Sequence, residues 1–248
     1  MLGLPFWAWA LLGVAAVAVG LAKTAIPGGG ILPVALFATA LPARTSTAAL
    51  LLLLIVGDAF ALIAYRRHAN WPTLLRLAPA VVIGLLAGFA FLAIGNDDIV
   101  RRAIGVILLA MIAVTLWRRS RQGRADAAPP ARGVVAASSY GALAGFTTMV
   151  ANAAGPVMSM YFLAMRTPVQ VFLGTSAWFF AIVNLFKLPF LARIGLFDTQ
   201  VLLTDAALVP LVILGAFVGL WLARRMKQQV FDRIVIGLTV IGAVYLLF

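Results

Sequence analysis

Long apolar runs separated by short polar interruptions make up almost the whole chain. The runs are residues 5–22, 31–41, 48–65, 74–95, 103–117, 134–150, 157–165, 171–192, 201–223 and 234–248. Several are long enough for an α-helix to cross a bilayer, and none shows the alternating ten-residue pattern of an outer-membrane barrel strand. Two interruptions are too short and too apolar to be ordinary loops. Residues 5–41 as one helix would be about 55 Å long, against a hydrocarbon core of about 30 Å. The stretch KTAIPGGG at 23–30 therefore has to turn the chain inside the membrane, because Pro27 lacks an N–H and Gly28, Gly29 and Gly30 free the backbone. ANAAGP at 151–156 interrupts the second half in the same way. Irregular backbone at that depth is tolerated only where it is buried in protein or lines a cavity.

The order of these features repeats. A broken segment, a proline turn (Pro42, Pro168) and a span with a central polar residue (Asp58, Asn184) occur in each half. Pro79-x4-Gly84-x3-Gly88 is then matched by Pro210-x4-Gly215-x3-Gly219. Glycines four apart on an apolar helix let another backbone pack close, and the shared order predicts a duplication. Residues 42–47 and 96–102 are expected to be polar connections. Between the halves lies RRSRQGRADAAPPAR, residues 118–132, the one long hydrophilic stretch, which predicts an exposed linker. The predicted organisation is a first transmembrane repeat at 1–117, a basic linker at 118–133 and a second repeat at 134–248.

Charge then decides the topology. If every run were one crossing, the basic residues would divide nine to eight between the two sides. If each broken segment instead enters and returns on its own side, they divide thirteen to four, with Arg44, Arg101, Arg102 and Arg193 on the poorer side. The positive-inside bias favours the second arrangement, with the linker cytoplasmic and both termini outside. Each half then makes three full crossings beside a broken helical hairpin. An odd number inverts the second half relative to the first. The predicted fold class is an all-α polytopic membrane protein of two inverted-topology repeats, an arrangement found in secondary transporters.

Composition narrows this further. Of 248 residues, 64% are hydrophobic and 10% charged, with mean hydropathy +1.10, too little polar surface to cover a water-soluble globule. The net charge of +12 is carried by residues between apolar runs, which explains it without nucleic acid. With no cysteine there is neither a disulfide nor a thiolate metal site. The chain opens without a basic stretch before its first apolar run, so no cleaved signal peptide is expected. It contains no glutamate, and its one histidine, His68, lies beside Arg66 and Arg67 at a span end, an interfacial position. An intramembrane hydrolase has little to work with, and no cofactor or metal is expected.

The candidate chemistry lies in the breaks and beside them. Lys23 and Lys187 are the two lysines within apolar segments. An ammonium at mid-membrane costs about 2.5 to 3.5 kcal/mol on insertion scales and normally faces a cavity or a counter-charge. Each either snorkels towards a helix end or attracts an anion. Asp58, taken as the one acidic residue deep in a span, is either the structural partner of a lysine or a proton-coupling site. The free N–H groups of Gly28, Gly29 and Gly30, and more weakly those around Asn152 and Gly155, could hold an anion at the start of the following helical arm. Close helix packing is the alternative. The hydroxyls of Thr45, Ser46, Thr47, Thr175 and Ser176 either hydrogen-bond between helices or contact a ligand.

PGGGILPVALF followed by LLLLIVGDAFALIAYRRHANW, and GTSAWFFAIVNLFKLPF with PLVILG at 210–215, resemble the TauE/SafE sulfite exporter family, also called the 4-toluene sulfonate uptake permease family. The resemblance covers both repeats. It implies a bacterial inner-membrane carrier for sulfur-containing anions such as sulfite, sulfoacetate or sulfonates, with Gly28–Gly30, the Gly174-Thr175-Ser176 turn, Asn184 and Lys187 as its functional positions. The second break reads Asn152-Ala-Ala-Gly155 where many members are glycine-rich, so the two breaks are not expected to be equivalent. The expected function is alternating access at a midplane anion site, with an anion channel and, remotely, an enzyme as alternatives. Expected partners are a small anionic substrate and the bilayer, with protons as candidate coupling ion and a second copy of the chain as a candidate companion.

Overall fold

The structure, a computed structural model, describes residues 4–25, 30–121, 134–165 and 167–222. Gly28, Gly29, Arg166, most of the linker and the span expected at 234–248 lie outside the described residues. Among these residues the chain is helical, with no strand: α1 (Phe6–Ala25), α2 (Ile31–Ala40), α3 (Ala43–Tyr65), a 3-10 turn (Arg66–His68), α4 (Trp71–Ile94), α5 (Asp97–Arg121), α6 (Val134–Ala151), α7 (Ala154–Ala164), α8 (Val169–Arg193) and α9 (Thr199–Leu222). Helices α1, α3, α4, α8 and α9 are long and apolar enough to cross a membrane, so this is a polytopic membrane protein.

Two expected connections are helical instead. Residues 43–47 form the first turn of α3 after Pro42, whose φ of −51° suits a helix start. The Ser46 and Thr47 hydroxyls donate back to the Ala43 carbonyl at 2.8 and 3.3 Å, absorbing the polarity that had suggested a loop. Helix α5 likewise begins within the expected turn at 96–102. Asn96 Oδ1 accepts the Ile99 N–H at 2.9 Å, and Asp97 and Asp98 lie in the first turn, favourable for the helix dipole. At its other end α5 continues through Arg118, Arg119 and Arg121, placing these on the helix rather than in a loop. Both breaks appear as expected, between α1 and α2 and between α6 and α7. Asn152 in the second has φ 51°, the left-handed region that Asn tolerates better than most residues.

The repeated proline–glycine helices pack across the halves. Gly215 of α9 faces the backbone of Val17 in α1, Gly20 of α1 faces Val212 and Ala216, and Gly219 faces Leu21 and Thr24. Gly84 and Gly88 of α4 meet Ala142, Phe146 and Met149 of α6, while Gly141 and Gly145 of α6 meet Leu77, Ala80, Val81 and Leu85 of α4. Numbers rise together along both seams, so each pair is parallel. Helices α3 and α8 run antiparallel: Thr175 Oγ1 near the start of α8 accepts the Asn70 N–H at 2.9 Å just past the end of α3, and Asp58 meets Asn184 deeper in.

These seams predict a large cost for any side chain placed in them. A Cβ at Gly84 would overlap the Ala142 carbonyl oxygen and lie 2.8 Å from the Phe146 nitrogen, both backbone atoms that cannot rotate away. Gly84→Val is expected to destabilise by about 1–3 kcal/mol, the usual range for overpacking. Gly13→Ala, whose Cβ would lie 3.4 Å from Leu211, is expected to leave the thermal midpoint in detergent unchanged. Equal midpoints for the two variants would contradict the packing described.

Candidate functional site

The two breaks flank α3 at different depths, and the polar groups of both halves converge between them. Near the C-terminal end of α3, Tyr65 Oη donates to the Thr24 carbonyl at 2.7 Å, fixing the first break there. Near the N-terminal end, the Asn152 amide donates to the Thr47 carbonyl at 2.9 Å and Thr47 Oγ1 donates to the Val150 carbonyl at 2.9 Å, fixing the second. Each break is thus tied to the same long helix by side chain–backbone bonds, and those to the Thr24 and Val150 carbonyls satisfy groups that a helix end leaves without partners.

Lys23 Nζ forms an ion pair with Asp58 Oδ1 at 2.5 Å and lies 4.6 Å from the centroid of the Phe180 ring. The other Asp58 oxygen accepts from the Asn184 amide at 2.6 Å. The aligned polar residues of the two halves therefore touch directly where α3 and α8 cross. Lys187, one helical turn beyond Asn184 on the same side of α8, is completely buried. Its ammonium donates to the Thr148 carbonyl at 2.7 Å and to Asn152 Oδ1, both at the second break. Among the described residues no carboxylate comes within ion-pair distance of it.

A cavity of about 70 Å³ opens among these groups. At roughly 15 Å³ per water it has room for a few waters or one small oxyanion. Of the residues singled out from sequence, Lys23, Gly30, Asn152, Gly155, Ser176, Asn184 and Asp58 lie on its wall. Ser176 Oγ is buried there with no hydrogen-bond partner, so its donor is unused. Thr175 is engaged instead by the Asn70 N–H, and Lys187 is not among the wall residues: it braces the second break through Thr148 and Asn152. Gly28 and Gly29 lie outside the described residues. Only one of the two cations singled out from sequence is on the cavity wall, and it is already paired with Asp58.

Sequence reasoning missed four residues that shape this cavity: Thr24, Tyr65, Thr148 and Phe180. Thr148, three residues before the Ala151 that ends α6, was the most findable, as a hydroxyl one turn from a break. Asp58 is also not the only buried acid in a span-length helix. Asp205 in α9 is buried too, and the expectation of a single such acid is corrected.

No curated protein and no solved structure matches the chain. The family described as sulfite exporter TauE/SafE matches residues 12–246, nearly the whole sequence and both halves. With its multi-pass helices and this match, the chain belongs to the TauE/SafE sulfite exporter family of membrane transporters.

Proposed function

We propose that the chain is a secondary carrier for small sulfur oxyanions or organosulfonates, sulfite and sulfoacetate among them, working by alternating access in a bacterial inner membrane. The observation that carries this reading is the convergence of the Lys23 ammonium, the unused Ser176 hydroxyl and the Asn152 and Asn184 amides on one cavity between two interrupted helices. A small oxyanion needs several donors at close range, and interrupted helices at mid-membrane are where transporters place such sites. The ion pair with Asp58 leaves the Lys23 ammonium further donors for a ligand oxygen. Family membership narrows the anion to sulfur chemistry.

The antiparallel crossing of α3 and α8 at Asp58 and Asn184 supports reading residues 1–117 and 134–248 as inverted halves joined by a cytoplasmic linker. In that topology the wall residues Tyr65 and Leu173 lie towards the cytoplasm. The knot of Thr47, Asn152 and Lys187 lies towards the opposite face and closes it there. The arrangement then corresponds to an inward-facing carrier.

Proteoliposomes holding the purified protein should show saturable flux of at least one of sulfite, sulfoacetate, thiosulfate and taurine, measured with and without a proton gradient. Flux that rises linearly with concentration would replace the carrier with a channel. Consumption of the anion without movement would replace it with an enzyme.

A further inference from the structure

Among the described residues, Asp205 is the one strongly buried carboxylate that the site does not use. It lies about 9 Å along α9 from Thr199, on the buried stripe with Val201, Thr204, Leu208 and Val212. It is 3% exposed, and neither carboxyl oxygen has a hydrogen-bond partner. Later members of that stripe meet α1. Carried back by the same register, Asp205 falls opposite the first turn of α1, and no N–H of that turn reaches its oxygens.

Among the described residues, the charged and titratable groups on the elements packed against it are few. Helix α1 offers only Lys23, near its far end and paired with Asp58. Helix α3 offers Arg44, Asp58 and Tyr65. The Arg44 backbone N–H bonds Asp97 Oδ1 at 3.1 Å, and its guanidinium makes no ion pair with Asp205. Asp58 is committed to Lys23 and Asn184, and Tyr65 to the Thr24 carbonyl. On α9 no second ionisable residue lies between Thr199 and Leu222, and Asp198 just before it caps the Val201 N–H at 2.7 Å.

The two buried acids are therefore in opposite situations. Both Asp58 oxygens accept from donors, and a proton on either would displace one of those bonds. Both Asp205 oxygens are buried with no donor, and there a carboxylate is far costlier than a neutral acid. We propose that Asp205 is a protonated carboxylic acid in this arrangement and is the group that takes up and releases the coupling proton, while Asp58 stays ionised. The step is one proton transfer: the Asp205 O–H gives its proton to water arriving from the Thr199 end, leaving a carboxylate, and the reverse restores the acid. A bare carboxylate in the seam of α1, α3 and α9 favours any arrangement that lets water reach it. Because α1 carries Lys23 and the first break, proton occupancy of Asp205 biases the hairpin that lines the anion cavity. The coupling half of this proposal rests on the carrier reading, whereas the protonation half does not.

Infrared spectroscopy of the full chain in lipid bilayers at pH 7, in H2O and D2O, separates the two. Asp97, Asp98 and Asp198 are exposed, and the variants identify which acid gives a carbonyl band of un-ionised carboxyl. The band is expected in the wild type and in Asp58→Asn, absent in Asp205→Asn, and moved but retained in Asp205→Glu. A wild type without it, its survival in Asp205→Asn, or its loss in Asp58→Asn overturns the assignment. In proteoliposomes, proton-driven sulfite accumulation is expected to fall at least tenfold in Asp205→Asn, with a flattened pH profile. An unchanged profile overturns the coupling half. A wild type that moves none of sulfite, sulfoacetate, thiosulfate and taurine overturns it together with the carrier reading, while the infrared band still decides the state of Asp205.

Discussion

Lys23→Met is expected to reduce sulfite flux at least tenfold and to lower stability by about 3 kcal/mol, near the lower end for breaking a buried ion pair by removing one partner. The lower end applies because Lys23 is 12% exposed, so water screens part of the loss. Without the ammonium, Asp58 keeps only the Asn184 amide at 2.6 Å, and a carboxylate is left in a membrane interior with one donor. Combining Lys23→Met with Asp58→Leu removes the stranded charge and should recover most of the stability, since an apolar replacement of a buried pair is often neutral. Flux should not recover, because the cavity would have lost the ammonium that meets the anion. Thermal unfolding in detergent and proteoliposome flux on the two single variants and the double variant complete the cycle. A double variant with wild-type flux would reduce the pair to a structural clamp.

Lys187→Met is the second large effect, by a different route. The Lys187 ammonium does not line the cavity; it holds the second break through the Thr148 carbonyl and Asn152 Oδ1. Hydrogen bonds to a charged group contribute about 1.5–3 kcal/mol each, set against the cost of keeping an ammonium dry. These terms oppose, so the stability change is expected to be smaller than for Lys23→Met. The flux loss should be as large, because the side chain of Asn152, a residue at φ 51°, would keep only the Thr47 carbonyl as partner. Lys187→Arg is expected to fail as well: the position has no exposed surface, and a planar guanidinium does not fit a space shaped for an ammonium. Asn152→Gly keeps the left-handed backbone while removing the amide, so its flux separates backbone geometry from side-chain bonding. Normal flux in a folded Lys187→Met protein would exclude the lysine from the transport scheme.

The span-length helices α3, α4, α8 and α9 and the two interruptions were legible in the sequence, each for a local reason. A long apolar run has few alternatives to a helix in lipid, and a proline with glycines, or an asparagine beside Gly-Pro, cannot continue one smoothly. Residues 43–47 and 97–102 were misread because hydroxyls, carboxylates and arginines look like loop in a hydropathy pattern. Ser46 and Thr47 instead fold back on the Ala43 carbonyl, and Asn96 caps the helix that Asp97 begins. Asp205 escaped notice because it stands near the start of an apolar run, where one acid reads as an interfacial residue. Its burial comes from tertiary packing of α9 that the run itself does not show.

What the amino-acid order determined by itself was which residues must lie in the membrane, where the backbone must break, and that two ammoniums and a carboxylate had to find polar company there. Hydropathy and proline chemistry act within a few residues, so they can be read along the chain. Which company each found was decided only by tertiary packing. A glycine row announces that some backbone will approach, but not that α9 takes α1 and α4 takes α6. A lysine in an apolar helix announces a partner, but not that Lys23 meets Asp58 on the cavity wall while Lys187 locks the second break behind it. Those choices depend on contacts between residues more than thirty positions apart, which local pattern does not encode.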